Sequence, residues 1–258
     1  MKKIVIIGGT GTIGKILRAG LAKSKYDICN LDLSIQQEDR NNIKVNAQDY
    51  SQLKSNIPND ADVIINLLAV SVKGELVDIP SMNKMVDVYL KASYNIFQAA
   101  VELGIPKVVF ASSNHVTDYY ESGGESKLGR RINVKDYPYS RGLYGVLKLA
   151  VENIGFAFIN KHDLSIINLR IGSVKQDEEK SIYKDIDRHK KTWLSEVDTV
   201  NLFEDSILSD IKFGTFYGVS DNPGKPWNND NAKEELGFNS EVNAIDVLNE
   251  SVDADKDK

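Results

Sequence analysis

The sequence has almost no cysteine and little histidine. A single cysteine, Cys29, can form no internal disulfide, so the fold must stand on its core alone and suits a reducing cytoplasm. The three histidines, His115, His162 and His189, share no metal-ligand spacing with one another or with Cys29. That argues against a zinc site. His162 reads instead as a cation at a helix end. No apolar run approaches the roughly 20 residues needed to span a bilayer. Met1-Lys2-Lys3 is followed by only four apolar residues before glycines begin, too few for a signal-peptide core. There is no excess of positive charge: the net charge of −5 argues against nucleic acid as a partner. G-x-S-x-G is missing too, which removes a serine-hydrolase reading of Ser113 and His115.

What is present is an ordinary globular composition, 41% hydrophobic and 27% charged over 258 residues. Short β-branched runs alternate with helical stretches. "KIVII" (3–7), "DICNL" (27–31), "DVIINL" (62–67), "KVVFAS" (107–112) and "SIINLR" (165–170) read as strands, several of them apolar at consecutive positions. Helical patterns occupy 14–23, 81–103 and 142–161, the second stopping at Gly104 and Pro106. The alternation predicts an α/β fold with a doubly wound parallel sheet, a Rossmann fold. After residue 172 the pattern loosens. "VKQDEEKSIYKDIDRHKK" reads as a charged loop or lid, and 194–211 as a helix with Val197, Val200, Phe203 and Ile207 at helical spacing. "GTFYGV" (214–219) predicts a late strand, and "NDNAKEELGF" a short capped helix ending at Gly237. The expected organisation is a dinucleotide-binding domain over 1–172, a small substrate-binding region over 173–252 and a frayed tail over 253–258.

"IVIIGGTGTIGKIL" places Gly8, Gly11 and Gly14 between the first strand and the first helix. Such a loop lets the backbone approach a pyrophosphate at a helix N-terminus. The spacing is G-x-x-G-x-x-G rather than the commoner G-x-G-x-x-G; the strand-turn-helix context supplies the specificity the glycines lack. Asp32 ends the second strand, 18 positions after Gly14, where a carboxylate accepts hydrogen bonds from an adenosine ribose. A carboxylate there repels a 2′-phosphate, which favours NAD over NADP. The alternative for Asp32 is a turn cap.

"GLYGVLKLAVENI" carries Tyr144 and Lys148, four apart on one helix face. A free tyrosine ionises near pH 10. An ammonium one turn away is expected to favour the phenolate. Ser113 ends a neighbouring strand and can hydrogen-bond a substrate oxygen. Together they suit hydride transfer, with Tyr144 taking the hydroxyl proton. Alone, Y-x-x-x-K is weak; the glycine loop, Asp32 and the serine-bearing strand give it weight.

With "GGTGTIG", "SSNH" and "YGVLK" in this order, the chain resembles the extended short-chain dehydrogenase/reductase superfamily, in its branch of NAD-dependent epimerases and dehydratases. "SSNHVTDYY", "GLYGVLK", "LRIGSV" and "DRHKKTWLS" resemble the uronate dehydrogenase family within it. The resemblance covers essentially the whole chain. It implies NAD-dependent oxidation of the C1 hydroxyl of a hexuronic acid to its aldarolactone. Alternatives are a nucleotide-sugar epimerase or dehydratase, a dehydrogenase of a neutral aldose or sugar phosphate, and a non-catalytic dinucleotide sensor.

The resemblance also implies roles. Ser113, Tyr144 and Lys148 match the catalytic triad. Gly8, Gly11, Thr12, Ile13, Gly14, Asp32, Asn46, Leu68, Ala69 and Ile171, with Tyr144 and Lys148, surround NAD. Ser71, Asn114, His115 and Ser173 match sugar contacts, with His115 either touching the sugar or supporting its neighbours. Arg188 matches the arginine that grips the sugar carboxylate; read without the family it is one cation among Lys184, Lys190 and Lys191. Three positions depart from the family pattern: "NLLAV" replaces a His-x-Ala-Ala type turn, Asn46 an adenine-contacting aspartate, and Tyr89 an asparagine. No metal is implied. The expected partners are a small sugar and further copies of the chain in a homo-oligomer, with no nucleic acid and no membrane; the expected location is cytoplasmic.

Overall fold

The computed structural model describes residues 1–72, 74–175 and 188–247. The first βα unit pairs β1 (Lys2–Ile7) with α1 (Thr12–Gly20), and β2 (Tyr26–Leu31) follows. Next come β3 (Asn42–Ile43), α2 (Tyr50–Asn56) and β4 (Val63–Asn66). A long helix combines α3 (Ile79–Val86), a π-wound stretch (Asp87–Lys91) and α4 (Ala92–Leu103). It stops where Gly104 adopts φ 71°. β5 (Lys107–Ser113) runs into a 3-10 helix (Asn114–Tyr120) and a hairpin of β6 (Glu121–Ser122) and β7 (Glu125–Ser126). The remaining elements are α5 (Leu143–Ile159), β8 (Ser165–Ile171), α6 (Arg188–Thr192), α7 (Glu196–Leu208) and β9 (Phe213–Gly218), then a π-wound turn (Ala232–Leu236).

The main sheet has the order β3-β2-β1-β4-β5-β8-β9, and every pairing in it is parallel. Both faces are covered, which is why the strands read as unbroken apolar runs. The two-residue side-chain period divides β1 cleanly: Val5 and Ile7 enter one core with Leu53, Phe97 and Val151, while Ile4 and Ile6 enter the other with Leu17, Leu202 and Phe203. The strand order reverses between β1 and β4, so a crevice opens beyond their carboxyl ends.

Several expectations change in detail. β3 and α2 are additions to the predicted elements. In α7, Ser195 caps the start and Val197 is 48% exposed. It stands six residues from Phe203, about 240° around a helix, and so cannot share its face. The turn before Gly237 carries no side-chain cap; Asn231 instead donates to the Thr215 carbonyl at 3.0 Å. The expected lid falls largely on 176–187, and the tail on 253–258; these lie outside the described residues. Among the described residues no helix is long and apolar enough to cross a membrane. None of their His, Cys, Asp and Glu groups could hold a metal ion.

Candidate active site

Gly8 turns the chain out of β1 with φ 88°, and a Cβ there would meet the Leu67 carbonyl carbon at 2.9 Å. A Cβ on Gly14 would lie 2.4 Å from the Gly9 Cα, so this glycine lets the helix start against the loop. Gly11 differs. Nothing in the protein lies nearer to its would-be Cβ than the Gly8 carbonyl oxygen at 3.6 Å. Its bareness faces a cavity rather than the protein. Gly11 is also the N-cap of α1 and supplies no capping side chain, leaving the helix start open to an anion. The residues therefore fit a dinucleotide phosphate.

Two cavities meet at this loop. One, of about 390 Å³, is lined by Thr10, Asp32, Asn46 and Ser71. The other, of about 270 Å³, is lined by Thr12, Ile13, Gly14, Ser113, Tyr144, Lys148 and Ile171. Gly8, Gly11, Leu68 and Ala69 belong to both. Every residue that the sequence resemblance puts around NAD lines one cavity or the other. Asp32 accepts from the Thr10 N–H at 3.0 Å, the Thr10 hydroxyl at 2.6 Å and the Ser34 N–H at 2.8 Å. It thus braces the glycine loop as well as facing the cavity. Asn46 bonds locally, its side-chain oxygen accepting from Gln48 N–H at 3.1 Å.

In the second cavity the Ser113 hydroxyl and the Tyr144 phenol line the same wall. Lys148 is buried and donates to the Ala111 carbonyl at 2.7 Å and the Leu68 carbonyl at 3.5 Å. Its ammonium lies 5.8 Å from the Tyr144 ring centroid. The electrostatics differ from the expectation that the ammonium lowers the phenol. Burial pushes Tyr144 up to about 12, helped by neighbouring Tyr89, and only the Ser113 hydroxyl opposes it. Burial pushes Lys148 down to about 7, against the pull of Glu152. Desolvation outweighs the favourable spacing.

The model of the NAD dependent epimerase/dehydratase family matches residues 4–176. The chain belongs to that family. NAD is therefore its cofactor. The uncharacterised protein YtbQ of Bacillus subtilis is 48% identical over 250 residues, covering 97% of this chain and 98% of the relative. An NAD-dependent glucose-6-phosphate dehydrogenase of Haloferax volcanii is 33% identical over 173 residues, 65% of either chain. A uronate dehydrogenase of Agrobacterium fabrum is 27% identical over 243 residues, 92% of this chain and 83% of the relative.

Within this family member, the residues expected at the sugar are spread more widely than those at NAD. Ser71 lines the Asp32 cavity, not the one with Tyr144. Asn114 is buried and accepts from the Ser113 hydroxyl at 3.3 Å. Ser173 follows Gly172 of the cavity wall, but its hydroxyl bonds that of Thr192 at 2.9 Å. His115 packs edge-on against Tyr144 at 5.5 Å, and its Nδ1 lies 2.9 Å from Asp118. Burial raises the Asp118 carboxyl, but hydrogen bonds from His115 and the Arg141 N–H outweigh it and hold the group below its usual range. Arg188 points its Nε and Nη2 at the fully buried Glu121, at 3.2 Å and 2.9 Å. It does not line the Tyr144 cavity.

Sequence reasoning passed over three groups: Gly9, whose would-be Cβ meets Asn30 Oδ1 at 2.2 Å; Glu121; and the buried Glu152–Arg170 pair. Only the last left a trace in the sequence, a charge inside the apolar run "SIINLRI" and a glutamate one turn beyond Lys148.

Proposed function

We propose that this protein is an NAD-dependent dehydrogenase that oxidises the C1 hydroxyl of a cyclic sugar, with a hexuronic acid, converted to its aldarolactone, as the substrate. The observation that carries this reading is the meeting of Ser113, Tyr144 and Lys148 in one cavity that is continuous with the glycine loop. Bound NAD supplies the hydride acceptor. Ser113 donates to the C1 oxygen and orients it. Tyr144 in its phenolate form would take the hydroxyl proton as general base, which requires the bound cofactor's positive ring to lower a phenol that burial holds at about 12. Lys148, anchored on two carbonyls, would hold the ribose of bound NAD with its Nζ. Asp32, already accepting three bonds, would take an adenosine ribose hydroxyl on the acceptor site left free on Oδ1. In the same reading residues 1–172 hold the dinucleotide and the part after 172 completes the sugar site. The uronate assignment is supported by the "SSNH" and "RIGS" motifs and by the likeness to uronate dehydrogenase.

One observation favours a second substrate class, a neutral aldose or a sugar phosphate. Arg188, the cation matched to a sugar carboxylate, already holds a carboxylate within the protein. The likeness to the glucose-6-phosphate enzyme points the same way. The test is NADH formation, followed by absorbance, with NAD and a panel of galacturonate, glucuronate, glucose 6-phosphate and neutral aldoses. Turnover confined to the uronates is expected. Turnover of the others alone overturns the uronate assignment, and NAD retained with no net NADH from any sugar overturns the dehydrogenase reading in favour of an epimerase.

A further inference from the structure

Tyr89 lies in the π-wound stretch between α3 and α4, where the Ala92 N–H donates to the Asp87 carbonyl five residues back. A bulge of this kind re-aims the side chains of a helix, and such bulges gather at functional sites. Here Tyr89 is turned inward and is only 3% exposed. Its hydroxyl makes two bonds to one residue: it accepts from the Val70 N–H at 3.1 Å and donates to the Val70 carbonyl at 3.3 Å. Val70 continues the loop after β4, whose residues Leu67, Leu68 and Ala69 wall both cavities. The loop leaves the sheet after Leu67, whose N–H still reaches the Ile7 carbonyl at 2.9 Å; beyond it the Asn66 side chain holds the Leu68 N–H at 3.1 Å and Tyr89 holds Val70.

The ring of Tyr89 is equally engaged. It meets Tyr144 edge-on, with centroids 5.5 Å apart. The Lys148 Nζ stands 4.9 Å from the Tyr89 ring centroid and 4.8 Å from that of Phe110. A side-chain terminus packed between two aromatic rings is confined in position, in its charged form by the ring faces as well. The carbonyls of Leu68 and Ala111 complete its surroundings, and Leu68 is part of the loop that Tyr89 fixes.

We propose that Tyr89 is a positioning residue with two parts: its hydroxyl fixes the loop after β4 as a wall of the dinucleotide site, and its ring fixes the Lys148 Nζ next to Tyr144. The first part rests on the family's cofactor alone. The second rests on the roles given above to Tyr144 and Lys148.

The two parts separate under substitution. Tyr89→Phe keeps the ring and removes the bonds to Val70. Titration with NADH, read by its fluorescence, should then show about fivefold weaker binding, because the loop loses both of its bonds to the Tyr89 hydroxyl. Its kcat at saturating NAD should stay within about twofold of wild type, because a retained ring keeps the Lys148 Nζ in place. Tyr89→Leu removes both, and kcat should also fall by about tenfold or more as Lys148 and Tyr144 lose their alignment. Unchanged NADH affinity in Tyr89→Phe overturns the loop role. Wild-type kcat in Tyr89→Leu overturns the ring role; if that variant does not fold, a kcat in Tyr89→Phe that falls as steeply as its affinity overturns it instead. NADH binding by the wild type with no turnover of any sugar overturns the proposed reaction and leaves the titration to decide the loop role.

Discussion

Tyr144 and Ser113 are the pair on which the chemistry turns, and a one-atom change tests it. Tyr144→Phe should bind NADH as the wild type does while kcat for sugar oxidation falls by about 10²- to 10⁴-fold, the range of a lost general base. Steady-state kinetics beside an NADH titration would check this. Equal kcat in the variant would remove Tyr144 from the reaction. The identity of such residues was legible because it depends on local spacing: three glycines at a strand-helix junction, an acid at the end of the next strand, a tyrosine and lysine one turn apart. Their electrostatics were not. Spacing says that Tyr144 and Lys148 share a helix face; it does not say how little water reaches them, and burial decides both groups. Nor does local spacing reveal Glu121, which holds Arg188 from 67 residues away.

At the scale of elements, α5 and β8 are joined by a charge pair inside the core. Arg170 donates to Glu152 through Nε at 3.0 Å and Nη2 at 2.8 Å, and the Ser112 hydroxyl gives Glu152 a further bond at 2.5 Å. Arg170 Nη1 reaches the Tyr217 hydroxyl at 3.4 Å, so β9 is tied in as well. Removing one partner leaves the other charge buried alone. Arg170→Met is therefore expected to lose about 3–5 kcal/mol of stability, while the double variant with Glu152→Leu recovers most of it. Urea unfolding of the three proteins would measure this; a single variant no less stable than the double would refute it. The long strands and helices were readable because burial on both faces of a sheet leaves continuous apolar runs. β3, with two residues, and α2, with seven, are too short for periodicity to register. They exist because the sheet edge and the Asp49 cap hold them. Val197 misled for the opposite reason, being apolar at nearly helical spacing yet on the outer face.

The fold as a whole carries a pH signature that no single element shows. Lys148 has an ordinary value of 10.5 and about 7 in the fold. Between those values the unfolded chain binds more protons than the folded one, so stability rises with pH there. Below about 7 both states are charged and the folded protein bears the full burden of a buried ammonium. Lys107, also lowered by burial, adds to the same slope. The opposite sign enters higher up. Burial raises the Cys29 thiol above its ordinary 9.0, and Tyr26, Tyr50 and Tyr144 above 10.0, so the unfolded chain sheds those protons first and stability turns down. Thermal unfolding of the protein without NAD should thus give a higher Tm at pH 8.5 than at pH 7, because the stability rises by up to about 1.4 kcal/mol per pH unit for one group. In Lys148→Met the rise should shrink to what Lys107 supplies, with stability at pH 7 equal to or above that of the wild type. A wild-type Tm that falls between pH 7 and 8.5, or a Lys148→Met variant with an undiminished rise, would show that the lysine keeps its charge inside the fold, held there by the Leu68 and Ala111 carbonyls and the aromatic faces.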